Sequence, residues 1–161
     1  TDVRAKTMEA IEATHKKVDT ALKAGGDAVG AQTVIDTMPG QLPLACNNRL
    51  NELFVTNAKI AEPNVAVKDA GHFSASTDMG DVSHLLPVIH PFIGGVDGFL
   101  HTADFHVVDF KHAVLLPAKA FAMMIVDLLA DDAELARQIK AEHHPLLTKE
   151  EYIAKLDKYF Q

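Results

Sequence analysis

The chain has 161 residues, of which 48% are hydrophobic, enough for one compact domain or a domain with a small appendage. Its formal charge is -7, with acidic and basic residues interleaved and no basic stripe, which argues against a nucleic-acid surface. Cys46 is the single cysteine, so no internal disulfide forms and a reducing, cytoplasmic setting is expected.

The chain opens "TDVRAKTMEA", without an initiator methionine or a basic-then-apolar leader, so Thr1 reads as a cut end. From Thr7 to about Leu22, Met8, Ile11, Val18 and Leu22 recur at helical spacing, and Gly25 and Gly26 supply a stop. "AQTVIDTM" is rich in β-branched residues and closes at Pro39 and Gly40, which predicts a strand, and "TDVR" reads as the end of another. Residues 1–45 therefore read as strand end, helix and strand, part of a small α+β layer.

A second helix is predicted to begin at Asn47 or Asn48 and to bury Leu50, Leu53, Phe54 and Ile60. "NVAVKDAG" reads as a buried strand and "HFSASTDMGDVS" as a polar loop, followed by "LLPVIHPFIGG" as another extended apolar segment. Pro117 suits the first turn of a long helix ending near Leu129, because its missing donor costs nothing there. The helix lies in the window "AVLLPAKAFAMMIVDLLA", whose Pro117, Lys119 and Asp127 would be costly in lipid, so no membrane span is predicted. Asp131 or Asp132 can cap a further helix through Leu135 and Ile139. Thr148 and Glu151 form a capping-box pair for a last helix burying Ile153, Leu156 and Phe160. Alternating strands and helices point to an α/β sheet.

Nine histidines are present, and His84, His90, His101, His106 and His112 lie close in sequence. Taken singly, each reads first as a structural or surface histidine; His15, His143 and His144 read as solvated. A self-contained zinc site needs three or four His, Cys, Asp or Glu ligands, and no HExxH or CxxC spacing supplies them. A triad built from Ser76, Asp78 and a histidine lacks a GxSxG elbow. The glycines of "GGVDG" fit a close backbone approach or a plain turn equally well.

"SASTDMGDVSHLLPVIHPFIGG" followed by "GFLHTADF" resembles the C-terminal catalytic half of the M-twenty metallopeptidases, of the aminoacylase and carboxypeptidase G type. It is most similar to the amidohydrolase branch with aminobenzoyl-glutamate hydrolase and the aminoacylase-like dipeptidases. An (S/T)-D-x-G-(D/N)-V-S loop, a P-x-I-H-P strand, an H-T-x-(E/D)-F segment and a long helix like "PAKAFAMMIVDLL" occur here in the family's order.

The resemblance implies an α/β fold: half of a zinc-peptidase-like sheet domain over residues 46–161, with residues 1–45 as the C-terminal part of a lid and dimerisation domain. It implies a zinc-dependent amidohydrolase or exopeptidase acting on N-acyl amino acids, dipeptides or related amides. The family holds a zinc pair around a bridging water, with a glutamate as general base. His101 matches the family's last metal ligand. Ser76, Thr77 and Asp78 match the loop shaping the substrate pocket, Asp104 matches a supporting acidic position beside His101, and His90 falls on the P-x-I-H-P strand in a structural role. Homodimers form through the lid in such enzymes, and residues 7–38 would present that surface here.

No HxD motif, bridging-aspartate segment or catalytic glutamate pair is present, and Glu150–Glu151 belongs to the capping box. One histidine cannot hold a zinc pair. The expectation is therefore a part of a longer enzyme that is inactive alone. The competing expectation is a non-catalytic module that binds a ligand or self-associates.

Overall fold

The computed structural model describes residues 1–69, 71 and 75–158. They divide into two compact units, one drawn from Thr1–Ala45, Ala70–Leu85 and Pro145–Gln161, the other from Cys46–Asp69 and Leu86–His144.

In the first unit, helix α1 spans Met8–Ala28. The Thr7 side chain accepts a hydrogen bond from the Ala10 amide at 3.2 Å, satisfying one of the donors a helix start leaves open. The helix runs through Gly25 and Gly26 rather than stopping there. Glycine is permitted in a helix and only costs stability; the stop comes at Gly30, in the left-handed region at φ 71°, with its amide on the Asp27 carbonyl at 3.1 Å.

Residues 32–39 follow in extended form. Thr33, Ile35, Thr37 and Pro39 are half-buried while Val34, Asp36 and Met38 are exposed, the alternation of a strand with one packed face. No ladder forms on this segment among the described residues, nor on residues 1–4, 64–69 or 85–93, the other stretches predicted as extended.

Helix α3 is the short turn Met79–Ser83. Helix α5, Lys149–Asp157, starts as its sequence requires: the Thr148 side chain accepts from the Glu151 amide at 3.1 Å, and the Glu151 carboxylate accepts from the Thr148 amide at 2.7 Å. Phe160, assigned to its buried face from sequence, lies outside the described residues. Lys155 of α5 pairs with Glu12 of α1 at 3.3 Å.

The second unit is built on two helices. Helix α2, Asn48–Ala61, is capped by the Asn47 side chain, which accepts from the Leu50 amide at 3.1 Å. It buries Leu50, Phe54, Asn57 and Ala58, one stripe at helical spacing. Ile60 falls off that stripe and is 63% exposed, so its predicted burial does not hold.

Helix α4, Leu116–Glu142, follows a π-helical turn at Lys111–Leu115. It is broken at Ala130–Ala133, where Asp131, Asp132 and Ala133 all take left-handed backbone angles. This is where the sequence marks a new helix start. The break turns the chain so that Leu135 and Ile139 rejoin the cluster that Ala120 and Met124 form with Leu50, Phe54 and Ala58. The Phe54 and Phe121 rings meet at 4.9 Å, tilted by 51°. Asn57, 2% exposed, donates to the Asp127 carboxylate at 2.7 Å and to the Leu53 carbonyl at 3.1 Å.

By length and composition, Lys111–Glu142 is also long and apolar enough to cross a membrane. Its Phe121, Ile125, Val126 and Leu129 are exposed.

The described strands are β1, Val96–Asp97, and β2, His106–Val107, paired antiparallel with Val96 opposite Val107 and Asp97 opposite His106.

Candidate functional site

The β1–β2 hairpin carries "GFLHTADF" as its loop, with His101 in the turn. Gly98 closes one side at φ 88°. A Cβ there would stand 2.5 Å from the Asp104 carbonyl oxygen and 2.8 Å from the Phe105 Cα, so only glycine lets the two arms approach this closely. Thr102 closes the other side. Its amide donates to the Phe99 carbonyl at 3.2 Å, and its hydroxyl lies against that carbonyl and the Asp104 carboxylate. The His106 Nδ1 sits 2.6 Å from the Asp104 carbonyl, which can only accept, so Nδ1 carries the proton.

His101 itself is exposed and held at φ 64°, an angle a non-glycine residue adopts at a cost of roughly 1–2 kcal/mol. It has no hydrogen-bond partner among the described residues. Asp104 engages Thr102 rather than His101, so its carboxylate fixes the loop on which the imidazole is displayed.

The hairpin base is anchored to the helix behind it. The Val108 and Asp109 amides both donate to the Gly95 carbonyl at 3.0 Å, and the Asp109 carbonyl accepts from Ala113 at 2.9 Å. The Asp109 carboxylate accepts from the His112 amide at 3.2 Å and meets the His112 Nδ1 at 2.5 Å, which holds the Asp109 pKa below its ordinary value. Beside it, Lys111 pairs with Glu62 at the end of α2; the Lys111 ammonium lowers the Glu62 pKa and Glu62 raises that of Lys111. Sequence reasoning missed this four-residue network. Its signal was the D-x-x-H spacing of Asp109 and His112 at a helix start.

Ser76, Thr77 and Asp78 belong to the other unit. Ser76 is exposed. The Thr77 side chain accepts from the Met79 amide at 3.4 Å, and the Asp78 carboxylate accepts from Gln41 at 2.7 Å. The rest of "TDMGDVSH" binds the extended segment 41–45. Asp81 accepts from the Leu42 amide at 3.1 Å, Ser83 from the Ala45 amide at 3.0 Å, and the His84 Nε2 donates to the Pro43 carbonyl at 2.9 Å. Gly80 is buried under that segment: a Cβ would stand 1.9 Å from the Leu42 carbonyl oxygen. Ser83 and His84 are both buried, so this loop is a structural clasp whatever else it does. His90 rests edge-on against Phe92 at 5.6 Å, a packing contact.

Among the described residues no group of three or more His, Cys, Asp or Glu side chains is arranged to hold a metal ion. The donor set on the hairpin is a single imidazole with its acidic neighbour engaged elsewhere. These residues do not by themselves fit a zinc ion. Comparison with protein families, curated proteins and solved structures yields no match.

Proposed function

We propose that this chain is the C-terminal half of a zinc-dependent amidohydrolase or exopeptidase, with His101 as one of the ligands to a metal pair whose other donors lie outside these residues. The observation that carries the reading is His101 itself: an exposed, partner-free imidazole held at a strained left-handed angle at the tip of a tightly closed hairpin. Strain of this kind persists where the surroundings over-determine it, and it clusters at ligand sites. The ordered motifs that resemble the M-twenty metallopeptidases supply the chemistry, hydrolysis of an amide in an N-acyl amino acid, a dipeptide or a related compound. On this reading Ser76–Asp78 border the substrate, Asp104 steadies the hairpin, residues 46–161 belong to an α/β catalytic domain, and residues 1–45 belong to a dimer-forming lid of a cytoplasmic enzyme. The extended segments 64–69 and 85–93 are then strands of a sheet completed by the other half.

A non-catalytic, self-associating module is the competing reading, favoured by the apolar residues exposed around the hairpin and on α4. Zinc content and hydrolysis of N-acyl amino acids separate the two. The 161 residues alone should not hydrolyse the substrates. The longer polypeptide carrying them should contain a zinc pair and lose both metal and turnover on His101→Ala. A longer polypeptide without metal, or one indifferent to His101→Ala, would overturn the proposal; hydrolysis by the 161 residues alone would overturn the fragment assignment.

A further inference from the structure

A second feature lies in the other unit, away from the hairpin. The extended segment 32–41 makes no backbone–backbone hydrogen bond to any described residue, although its burial alternates as a strand's does. An edge of this kind presents donors and acceptors to a second extended chain. At its end, Pro39–Leu42 form one wall of a cavity of about 70 Å³. Met8 and Ile11 of α1 form the second wall, and Tyr152, Lys155 and Leu156 of α5 the third. Native interiors leave few voids larger than a water molecule, and on the order of 10–15 Å³ of such volume holds one. This void is several waters in size, yet much smaller than the roughly 300 Å³ at which whole-ligand pockets begin. It matches one branched aliphatic side chain.

The charges around it bear on the ligand. Lys155 is paired with Glu12 and also feels Glu9, while Asp81 acts on Tyr152. The one ammonium among the lining residues is already engaged by carboxylates, which disfavours an anionic guest. We propose that this cavity and the free strand edge leading to it form a docking site for an extended peptide segment that brings an aliphatic side chain and no carboxylate to it. The segment would pair its amides with residues 36–41 and place a leucine-sized side chain between α1 and α5. Main-chain pairing with a side-chain pocket is a general mode of peptide capture. The proposal does not depend on the hydrolase reading.

The test is a titration of the whole chain, followed by NMR, with N-acetyl-leucine N-methylamide. Saturable shifts are expected at the Leu42 and Leu156 methyls and the Gly40 amide. The glycine analogue should bind at least about tenfold more weakly, because it lacks the buried side chain. N-acetyl-leucine, which carries a free carboxylate, should also bind more weakly. Ile11→Phe and, independently, Met8→Phe should fill the cavity and abolish the shifts; if one fails to fold, the other decides, and the leucine–glycine comparison needs neither. The proposal is overturned by the absence of saturable shifts, by equal binding of the two analogues, or by shifts that survive in a folded filled variant. It is also overturned if the same signals move with protein concentration alone, which would give the site to a second copy.

Discussion

Replacing Gly80 by alanine is expected to destabilise the chain by about 2 kcal/mol, although alanine is ordinarily the better helix former. The added methyl would stand 1.9 Å from the Leu42 carbonyl oxygen. A carbon–oxygen contact of about 3.3 Å is the closest comfortable approach, so segment 41–45 must retreat by about 1.4 Å. That movement breaks the hydrogen bonds from the Leu42 amide to Asp81 at 3.1 Å and from the Ala45 amide to Ser83 at 3.0 Å. The first, to a charged acceptor, contributes about 2 kcal/mol and the second about 1 kcal/mol. Removing glycine from a helix returns about 1 kcal/mol.

Urea unfolding measures the net change, and amide exchange at Leu42 and Ala45 locates it. Both amides should lose protection in Gly80→Ala. Asp81→Ala should loosen Leu42 without adding any bulk. A Gly80→Ala chain as stable as the parent, with both amides still protected, would refute the clasp and free the "TDMGDVS" loop for a wholly functional role.

Asn57→Ala should cost about 1–2 kcal/mol by urea unfolding, because it leaves a small cavity and loses the hydrogen bonds that Asn57 donates to the Asp127 carboxylate at 2.7 Å and the Leu53 carbonyl at 3.1 Å. Asp132→Gly should raise stability by about 1 kcal/mol, since glycine accepts φ 58° without strain and the exposed Arg137 pair that it loses contributes little. Glu9, Glu62, Asp109 and Glu151 all have pKa values lowered in the folded chain by hydrogen bonds and nearby cations. A depressed carboxyl pKa contributes stability that is present above the unfolded value, near 4. It is lost as pH falls through the folded value. The thermal midpoint should therefore drop in acid below about pH 4, and modestly, because these groups are exposed and screened. A midpoint unchanged down to pH 3 would contradict these pairings.

What sequence could show here is what local chemistry decides. Asn47 and the Thr148–Glu151 pair cap their helices because a side-chain oxygen three residues from an open amide needs no tertiary help. The boundary at Asp131–Asp132 was marked by the capping chemistry of aspartate, but there the two residues take left-handed angles, which short polar side chains tolerate. Gly25 and Gly26 misled, because glycine permits a stop without compelling one. The clasp on residues 41–45 was invisible, as it joins segments almost forty residues apart. The segment "GFLHTADFH" was legible as an interesting loop. That Asp104 serves Thr102 and His106 serves the Asp104 carbonyl could be learned only from the hairpin's closure.

The exposed apolar residues leave one further consequence for behaviour in solution. Around the hairpin and α4, Phe92, Phe99, Phe110, Val126 and Leu129 are each at least 60% exposed. Burying even part of one such side chain contributes about 1 kcal/mol, so several together favour association between chains. The net charge of -7 opposes it. That repulsion is screened over about 10 Å at 0.1 M salt, whereas the apolar attraction is not. Sedimentation should therefore show self-association that strengthens from low to moderate salt, and Phe99→Ser with Val126→Ser should weaken it without shifting the urea midpoint. A salt-independent monomer at roughly 100 µM, well into the range where micromolar contacts populate dimers, would mean that these side chains are tolerated in water.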